Sequence, residues 1–252
     1  MIGVFDSGVG GLSVLVEIRN ALPDADLLYV GDRGRAPYGE RTLADVEAIS
    51  QDVAAWLVDE GATCLVVACN TASAAALESL RSRHPDLPIV GMEPAVKPAA
   101  MATRSGKVAV LATAATFQGR LFESVVARFA EGVEVLPRAC PEWVAMVEEG
   151  VVAGPRAETA VRDVVEPLEG EGADVVVLAC THFSFLAPVI HRVSSLGVLD
   201  PARAVAQQTA RVAPHISGAG RLILAASGDT VEFSRLAAAV ASIDQPVIPF
   251  AT

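Results

Sequence analysis

The chain is poor in lysine. Only Lys97 and Lys107 occur, the arginines are scattered singly, no basic patch is present, and the formal net charge is −11. A protein of that sign repels a phosphate backbone, which excludes nucleic acid and anionic membrane surfaces as main partners; an anionic substrate needs a local binding site. The opening Met-Ile-Gly-Val-Phe-Asp carries no basic segment and no long apolar run, so neither a secretory signal nor a membrane span is expected, and a cytoplasmic protein is. Cysteine is scarce too. Cys64, Cys69, Cys140 and Cys180 are too few for a disulfide scaffold, and their spacings match neither CxxC nor a zinc ligand pair, so no metal site is expected. In a reducing compartment they are structural or reactive thiols. What abounds is apolar surface, 52% of residues, enough for one large core or two ordinary ones.

One pattern recurs. Leu65-Val66-Val67-Ala68-Cys69-Asn70-Thr71 is echoed by Val175-Val176-Val177-Leu178-Ala179-Cys180-Thr181-His182, each preceded by Gly-Ala (Gly61-Ala62, Gly172-Ala173). Short continuous apolar runs flanked by helical patterns read as fully buried parallel strands. In open α/β sheets ligands bind at the carboxyl ends of strands, so both cysteines are expected where chemistry is done.

The surrounding order is similar in both halves. Residues 2 to 5 read as a strand, Asp6-Ser7-Gly8-Val9-Gly10-Gly11 as a turn, and Leu12, Leu15, Val16 and Ile18 as a helix. Leu27 to Val30 is a second strand, Gly31 to Gly39 a loop, and Thr42 the N-cap of a helix to about Glu60, with Val46, Ile49, Val53, Trp56 and Leu57 on one face. A helix over Ser73 to Arg83 follows the Cys69 strand. Beyond the proline-rich crossing at Gly91 to Pro98 come a strand (Lys107 to Leu111), a helix from about Gln118, a strand (Val133 to Leu136), helices at Trp143 to Glu149 and Arg156 to Leu168, and the Cys180 strand. A last section has a helix from about Ala206, strands at Leu222 to Ala225 and Val247 to Phe250, and a helix from Val231 between them. These strands most easily extend the first sheet. The expected architecture is therefore α/β: two similar, pseudo-symmetric domains with mainly parallel sheets flanked by helices and the active site in the cleft between them. The first is discontinuous (1–93 plus 208–252) and the second spans 94–207.

The turn after the first strand invites a dinucleotide reading, but Gly8-x-Gly10-x-x-Ser13 lacks the third glycine. Asp6 either caps a tight turn or reaches across the strand ends toward a cysteine. Buried free cysteine usually packs as a small hydrophobe, a reading that suits Cys64 and Cys140. Cys69 and Cys180 differ from these. Each precedes donor-bearing residues, and each is expected at a helix N-terminus, where the dipole lowers a thiol pKa. His182, two positions from Cys180, can hold or exchange its proton. A Cys-His hydrolase needs only one thiol. Two thiols facing each other across a cleft suit removal of a proton from one face of a carbon and return to the other, that is, racemisation or epimerisation. The α-proton of an amino acid is far less acidic than a thiol, so a water-poor site with donors aimed at developing enediolate charge is required. Ser7, Asn70, Thr71, Thr113, Thr116 and Thr181 are candidate donors.

The chain resembles the glutamate racemases, a cofactor-independent family that provides D-glutamate for bacterial peptidoglycan. Matching segments are Val4 to Leu12, Arg35-Ala36-Pro37-Tyr38-Gly39, Ala68 to Ala72, Ala139-Cys140-Pro141 with Val147-Glu148-Glu149-Gly150, Ala179-Cys180-Thr181-His182 and Asp200-Pro201-Ala202. The resemblance implies that Cys69 takes the proton from D-glutamate and Cys180 from L-glutamate. It pairs Asp6 with Cys69 and His182 with Cys180, and adds Glu148 as a supporting acid. Implied substrate contacts are Asp6, Ser7, Pro37, Tyr38, Gly39, Asn70, Thr71, Thr113, Thr116, Thr181 and His182. It also implies no cofactor, and Lys97 and Lys107 offer no convincing Schiff-base site. A homodimer is usual for the family. The chain departs from the common pattern at Arg33-Gly34, where Thr-Ala is usual, and at Phe183-Ser184, where Tyr-Pro is; both flank the expected site. A racemase of aspartate or another small acid, and a non-catalytic amino-acid-binding protein, are the competing readings.

Overall fold

The computed structural model describes residues 1–118, 120–213 and 218–251. In chain order the elements are β1 (Ile2–Asp6), α1 (Leu12–Ala21), β2 (Leu27–Gly31), α2 (Leu43–Asp59), β3 (Cys64–Val67), α3 (Asn70–Arg83) and β4 (Ile89–Gly91). A second run follows: α4 (Val96–Ala102), β5 (Lys107–Ala112), α5 (Ala114–Gln118), α6 (Arg120–Phe129), β6 (Glu134–Ala139), α7 (Pro141–Glu148), α8 (Pro155–Gly170), β7 (Val175–Ala179), α9 (Ala187–Val193) and β8 (Gly197–Leu199). The chain closes with α10 (Ala202–Val212), β9 (Leu222–Ala226), α11 (Thr230–Ala241) and β10 (Val247–Pro249).

Every strand pair is parallel, in two sheets ordered β10-β9-β2-β1-β3-β4 and β6-β5-β7-β8. The spatial order β2-β1-β3-β4 repeats as β6-β5-β7-β8, so the echo around the two cysteines is an echo of topology. β9 and β10 join the first sheet beyond β2, as the sequence led us to expect, with Leu27 opposite Leu222. All residues of β1, β2, β3 and β7 are buried, which is why these strands are apolar without alternation. Thr42 caps α2 by accepting from the Asp45 N–H at 3.1 Å, a contact worth about 1 kcal/mol. Of the face expected on α2, Val46, Ile49, Val53 and Leu57 are buried, while Trp56 is half-buried, edge-on to Phe250.

Several boundaries differ from expectation for local reasons. α3 starts at Asn70 rather than Ser73, because β3 stops at Val67 and Cys69 is itself the helix N-cap. Thus Asn70 and Thr71 belong to the first turn of a helix. β6 runs to Ala139 through Pro137, which an edge strand tolerates because its outer side has no ladder to complete. β8 and α9 were not anticipated; a strand of three residues opened by Gly197 carries too little pattern to see. Where a helix was expected from about Gln118, α5 reaches Gln118 and α6 begins at Arg120; Gly119 lies outside the described residues, as do 214–217 and Thr252 of the expected C-terminal return. In the proline-rich crossing, α4 buries Val96 and Ala99 against Val108, Val110 and Val177 of the second sheet. No helix among the described residues is long and apolar enough to cross a membrane.

Candidate active site

The carboxyl ends of β1, β2 and β3 face those of β5, β6 and β7 across a cavity of about 980 Å³. Cys69 and Cys180 both line it, together with Ser7, Pro37, Tyr38, Gly39, Asn70, Thr71, Thr113, Glu148, Thr181 and His182. Asp6 and Thr116, which the resemblance placed in contact with substrate, are not among the lining residues. Each holds residues that do line the cavity: Asp6 accepts from Thr181, and Thr116 is hydrogen-bonded to Thr71 and Thr113. Cys64 and Cys140 are buried elsewhere; burial pushes their thiols up to about 11 and about 12, and Cys140 Sγ lies 3.7 Å from the Arg138 carbonyl.

Around Cys69 the site is built from a helix start. Its Sγ accepts from the Ala72 N–H at 3.4 Å, and the side chain is 5% exposed. The expectation of a lowered thiol pKa fails here. Burial pushes the Cys69 thiol far above its usual range, the Asp6 charge pushes the same way, and the N–H groups of Ala72 and Thr71 offset only part of it. Asp6 makes no hydrogen bond to Cys69 among the described residues. Its Oδ1 accepts from the Gly8 N–H at 2.9 Å, and its Oδ2 accepts from Thr181 Oγ1 at 2.9 Å, across the cleft. Burial holds the Asp6 carboxyl above its ordinary range despite the opposing charge of His182.

The Cys180 side is built from an imidazole. Cys180 precedes a 3₁₀ turn over Thr181–Leu186, not the helix start its sequence suggested, so the dipole argument applies weakly. His182 Nδ1 lies 3.7 Å from Cys180 Sγ and its Nε2 2.7 Å from Glu148 Oε1. Burial alone would push the His182 pKa down; contacts with Cys180 and Glu148 outweigh it and hold the imidazole well above its usual value. Glu148 shows the converse. Burial would raise its carboxyl, but His182, the Val9 N–H and Arg33 bring it below the usual carboxylate range. A charged His182 donates from both nitrogens, one facing Cys180 Sγ and the other Glu148 Oε1.

The glycines after β1 have their explanation in this contact. Val9 N–H donates to Glu148 Oε1 at 2.8 Å, and a Cβ on Gly8 or Gly10 would collide with Glu148 or His182 respectively. The turn is glycine-rich so that backbone can approach the other half closely, not to cradle a pyrophosphate.

Hydroxyls complete the lining. Thr71, Thr113 and Thr116 form a triangle, with Oγ1 distances of 2.9, 2.9 and 3.3 Å, that links the start of α3 to α5. Asn70 is 3% exposed, and among the described residues neither its Oδ1 nor its Nδ2 has a partner, although it lines the cavity. An amide left with both ends free in such a place is a ready donor and acceptor for a polar ligand.

Four contributors escaped the sequence reading. Asp32, fully buried, accepts from Tyr38 Oη at 2.6 Å, Arg35 Nε at 2.7 Å and Ser227 Oγ at 2.6 Å, and so shapes the loop that carries Pro37 to Gly39. Ser227, from the turn after β9, also accepts from the Gly34 N–H at 2.8 Å. Tyr29 Oη donates to the Gly8 carbonyl at 2.7 Å. Arg33 Nε lies 3.0 Å from Glu148 Oε2. The repeat of a strand end followed by Ser-Gly, Ser7-Gly8 and Ser227-Gly228, was the available clue to Ser227. Nothing local betrays the partners of Asp32 or Arg33.

Known proteins share this arrangement. A family profile described as Asp/Glu/Hydantoin racemase matches residues 3–209. The chain is 47% identical to the glutamate racemase of Roseiflexus sp. over 246 residues, 93% of this chain and 90% of that one. It is 49% identical to the glutamate racemase of Ectopseudomonas mendocina over 213 residues, covering 84% and 81%. The crystal structure of Escherichia coli glutamate racemase in complex with L-glutamate and the activator UDP-MurNAc-ala superposes with a TM-score of 0.87 at 32% identity, covering 99% of this chain and 97% of that one. On profile, identity and fold together, the chain belongs to the Asp/Glu/hydantoin racemase family.

Proposed function

We propose that the protein is a glutamate racemase working by two thiols, with Cys69 taking the α-proton of D-glutamate and Cys180 that of L-glutamate, each returning a proton to the opposite face. The observation that carries the reading is the placement of both thiols in one cavity, from equivalent positions of two sheets. A single-nucleophile hydrolase has no use for the second. His182 charges the Cys180 side and Glu148 holds His182. Asp6 acts behind Cys69 and Thr181, and substrate carboxylates and ammonium meet Ser7, Asn70, Thr71, Thr113, Thr181 and the backbone of Pro37 to Gly39. Hydrogen bonds and positive charge aimed at the carboxylate where enediolate charge develops would lower a barrier that thiols alone cannot cross. Neither lysine lines the cavity: Lys107 pairs with Glu134 and Lys97 lies over Phe129. The reading therefore uses no Schiff base to either lysine.

The same proposal includes the division into domains 1–93 plus 208–252 and 94–207, a homodimeric state, a cytoplasmic location and supply of D-glutamate to peptidoglycan. The test is turnover by purified protein without pyridoxal phosphate. Polarimetry should show either glutamate enantiomer decaying to the racemate. Racemisation of aspartate but not glutamate would move the substrate to the other small acid, and binding with no racemisation would overturn the enzyme reading. Light scattering at micromolar concentration reads the assembly directly.

A further inference from the structure

Glu148 divides its carboxylate between two tasks. Oε1 accepts from the Val9 N–H and from His182 Nε2, at 2.8 and 2.7 Å, while Oε2 is held by Arg33 Nε at 3.0 Å. Three of these groups come from different parts of the chain: Val9 from the turn after β1, Arg33 from the 3₁₀ turn after β2, and Glu148 from the end of α7. The backbone beneath Arg33 is itself pinned, because Asp32 is buried among three donors and Gly34 is tied to Ser227. A fixed backbone and one charge-assisted contact across the cleft leave the carboxylate little freedom to rotate.

From this geometry we propose that Arg33 is a positioning residue for the Cys180 side of the reaction: it fixes the Glu148 carboxylate plane, and through it the angle at which His182 faces Cys180. The inference rests on the two-thiol reading of the cavity. Charge balance points the same way. Asp6 feels the charges of both His182 and Glu148, and Arg33 sets a cation against Glu148 in that cluster. The Cys69 side has no contact with Arg33 among the described hydrogen bonds, so removal of the guanidinium should act on one side of the reaction only. Arg33 and Glu148 side chains are 24% and 18% exposed, which screens the pair and limits its effect.

The test is the Arg33→Met variant, assayed in both directions with glutamate carrying hydrogen or deuterium at Cα. Because kcat/KM must stay equal for two enantiomers of equal energy, the isotope effects, not the rates, report which side is impaired. The expected result is a kcat lower by roughly three- to tenfold with KM little changed, on the scale of a lost charge-assisted hydrogen bond. The isotope effect should rise for L-glutamate, whose proton goes to Cys180, and fall for D-glutamate. Adding the same substitution to Glu148→Gln should cost little more than Glu148→Gln alone. Arg33→Lys, which keeps a cation but loses the Nε–H and the planar fork, should lie between Met and wild type, and it provides the reading if the Met variant does not fold. Isotope effects shifted equally in both directions, or a raised KM with unshifted isotope effects, would overturn the inference; the second would make Arg33 a direct substrate contact. Failure of the wild type to racemise glutamate would instead sink the reading beneath it, and this inference with it.

Discussion

The two cysteines occupy equivalent places in two sheets of the same strand order, yet their surroundings are unlike. Cys69 caps a helix of 14 residues and faces the N–H groups of Ala72 and Thr71, with a carboxylate nearby that makes its ionisation harder. Cys180 precedes a 3₁₀ turn and has an imidazole beside it whose pKa Glu148 helps to hold up, and Val9 and Arg33 hold Glu148 in turn. Repetition of the strand, turn and thiol brings two thiols to one cavity. It does not give them the same surroundings: burial and the Asp6 charge push the Cys69 thiol up, while contacts with Cys180 and Glu148 hold the His182 pKa up. The topology around the two thiols is symmetric; the electrostatics is not.

The contrast can be broken most severely at the thiols. Cys69→Ser and Cys180→Ser should each lower racemisation by about a thousandfold or more, as loss of an essential reacting group does, measured by polarimetry with either enantiomer. His182→Asn should come next, with a loss of roughly a hundredfold, and its isotope effect should rise for L-glutamate and fall for D-glutamate; equal shifts would deny the assignment of His182 to Cys180.

Glu148→Gln sharpens the comparison through pH. Glu148 helps to hold the His182 pKa up, so its loss should bring that pKa down and move the alkaline limb of the rate profile to lower pH, with no such move in a Thr116→Ala control. The pair also stabilises the fold within a window. The Glu148 contribution, from a lowered pKa, is full above its ordinary 4.5 and lost as pH falls through the lowered value. That of His182, from a raised pKa, is full below its ordinary 6.5 and lost as pH rises through the raised value.

The smallest effects compare the residues that follow β2 and β6. Asp32 and Cys140 are equivalents, their N–H groups donating to the carbonyls of Asp6 and Ala112 at the ends of β1 and β5. Asp32→Ala strands three buried or half-buried donors and should cost about 3 kcal/mol, read as a fall of several degrees in Tm. Cys140→Ala removes only a sulfur and should cost about 1 kcal/mol with turnover unchanged.

Much of this was legible in the sequence because buried parallel strands are written as apolar runs. The Val175 to Ala179 run and the glycine turn after Asp6 announced strand ends, and the echo of Cys69 at Cys180 announced a pair. What stayed hidden is of two kinds. Elements of few residues, such as β8, have no period to read. Partners brought together by folding leave no local trace: Asp6 reaches Thr181 rather than Cys69, Arg33 reaches Glu148, and Ser227 reaches Asp32. The dipole argument for Cys69 failed because desolvation of a fully buried thiol outweighs two N–H groups.

The two-thiol proposal requires two different bases on the two faces of a single carbon. Its most direct test is the wild-type enzyme turning over L-glutamate in D2O, with deuterium at Cα followed at early times by mass spectrometry after separation of the enantiomers. Two thiols predict that the D-glutamate formed carries solvent deuterium while the remaining L-glutamate keeps its hydrogen, and the same pattern in reverse from D-glutamate. Product that retains the original hydrogen, or unreacted substrate labelled as fast as product forms, would mean a single base serving both faces and would contradict it.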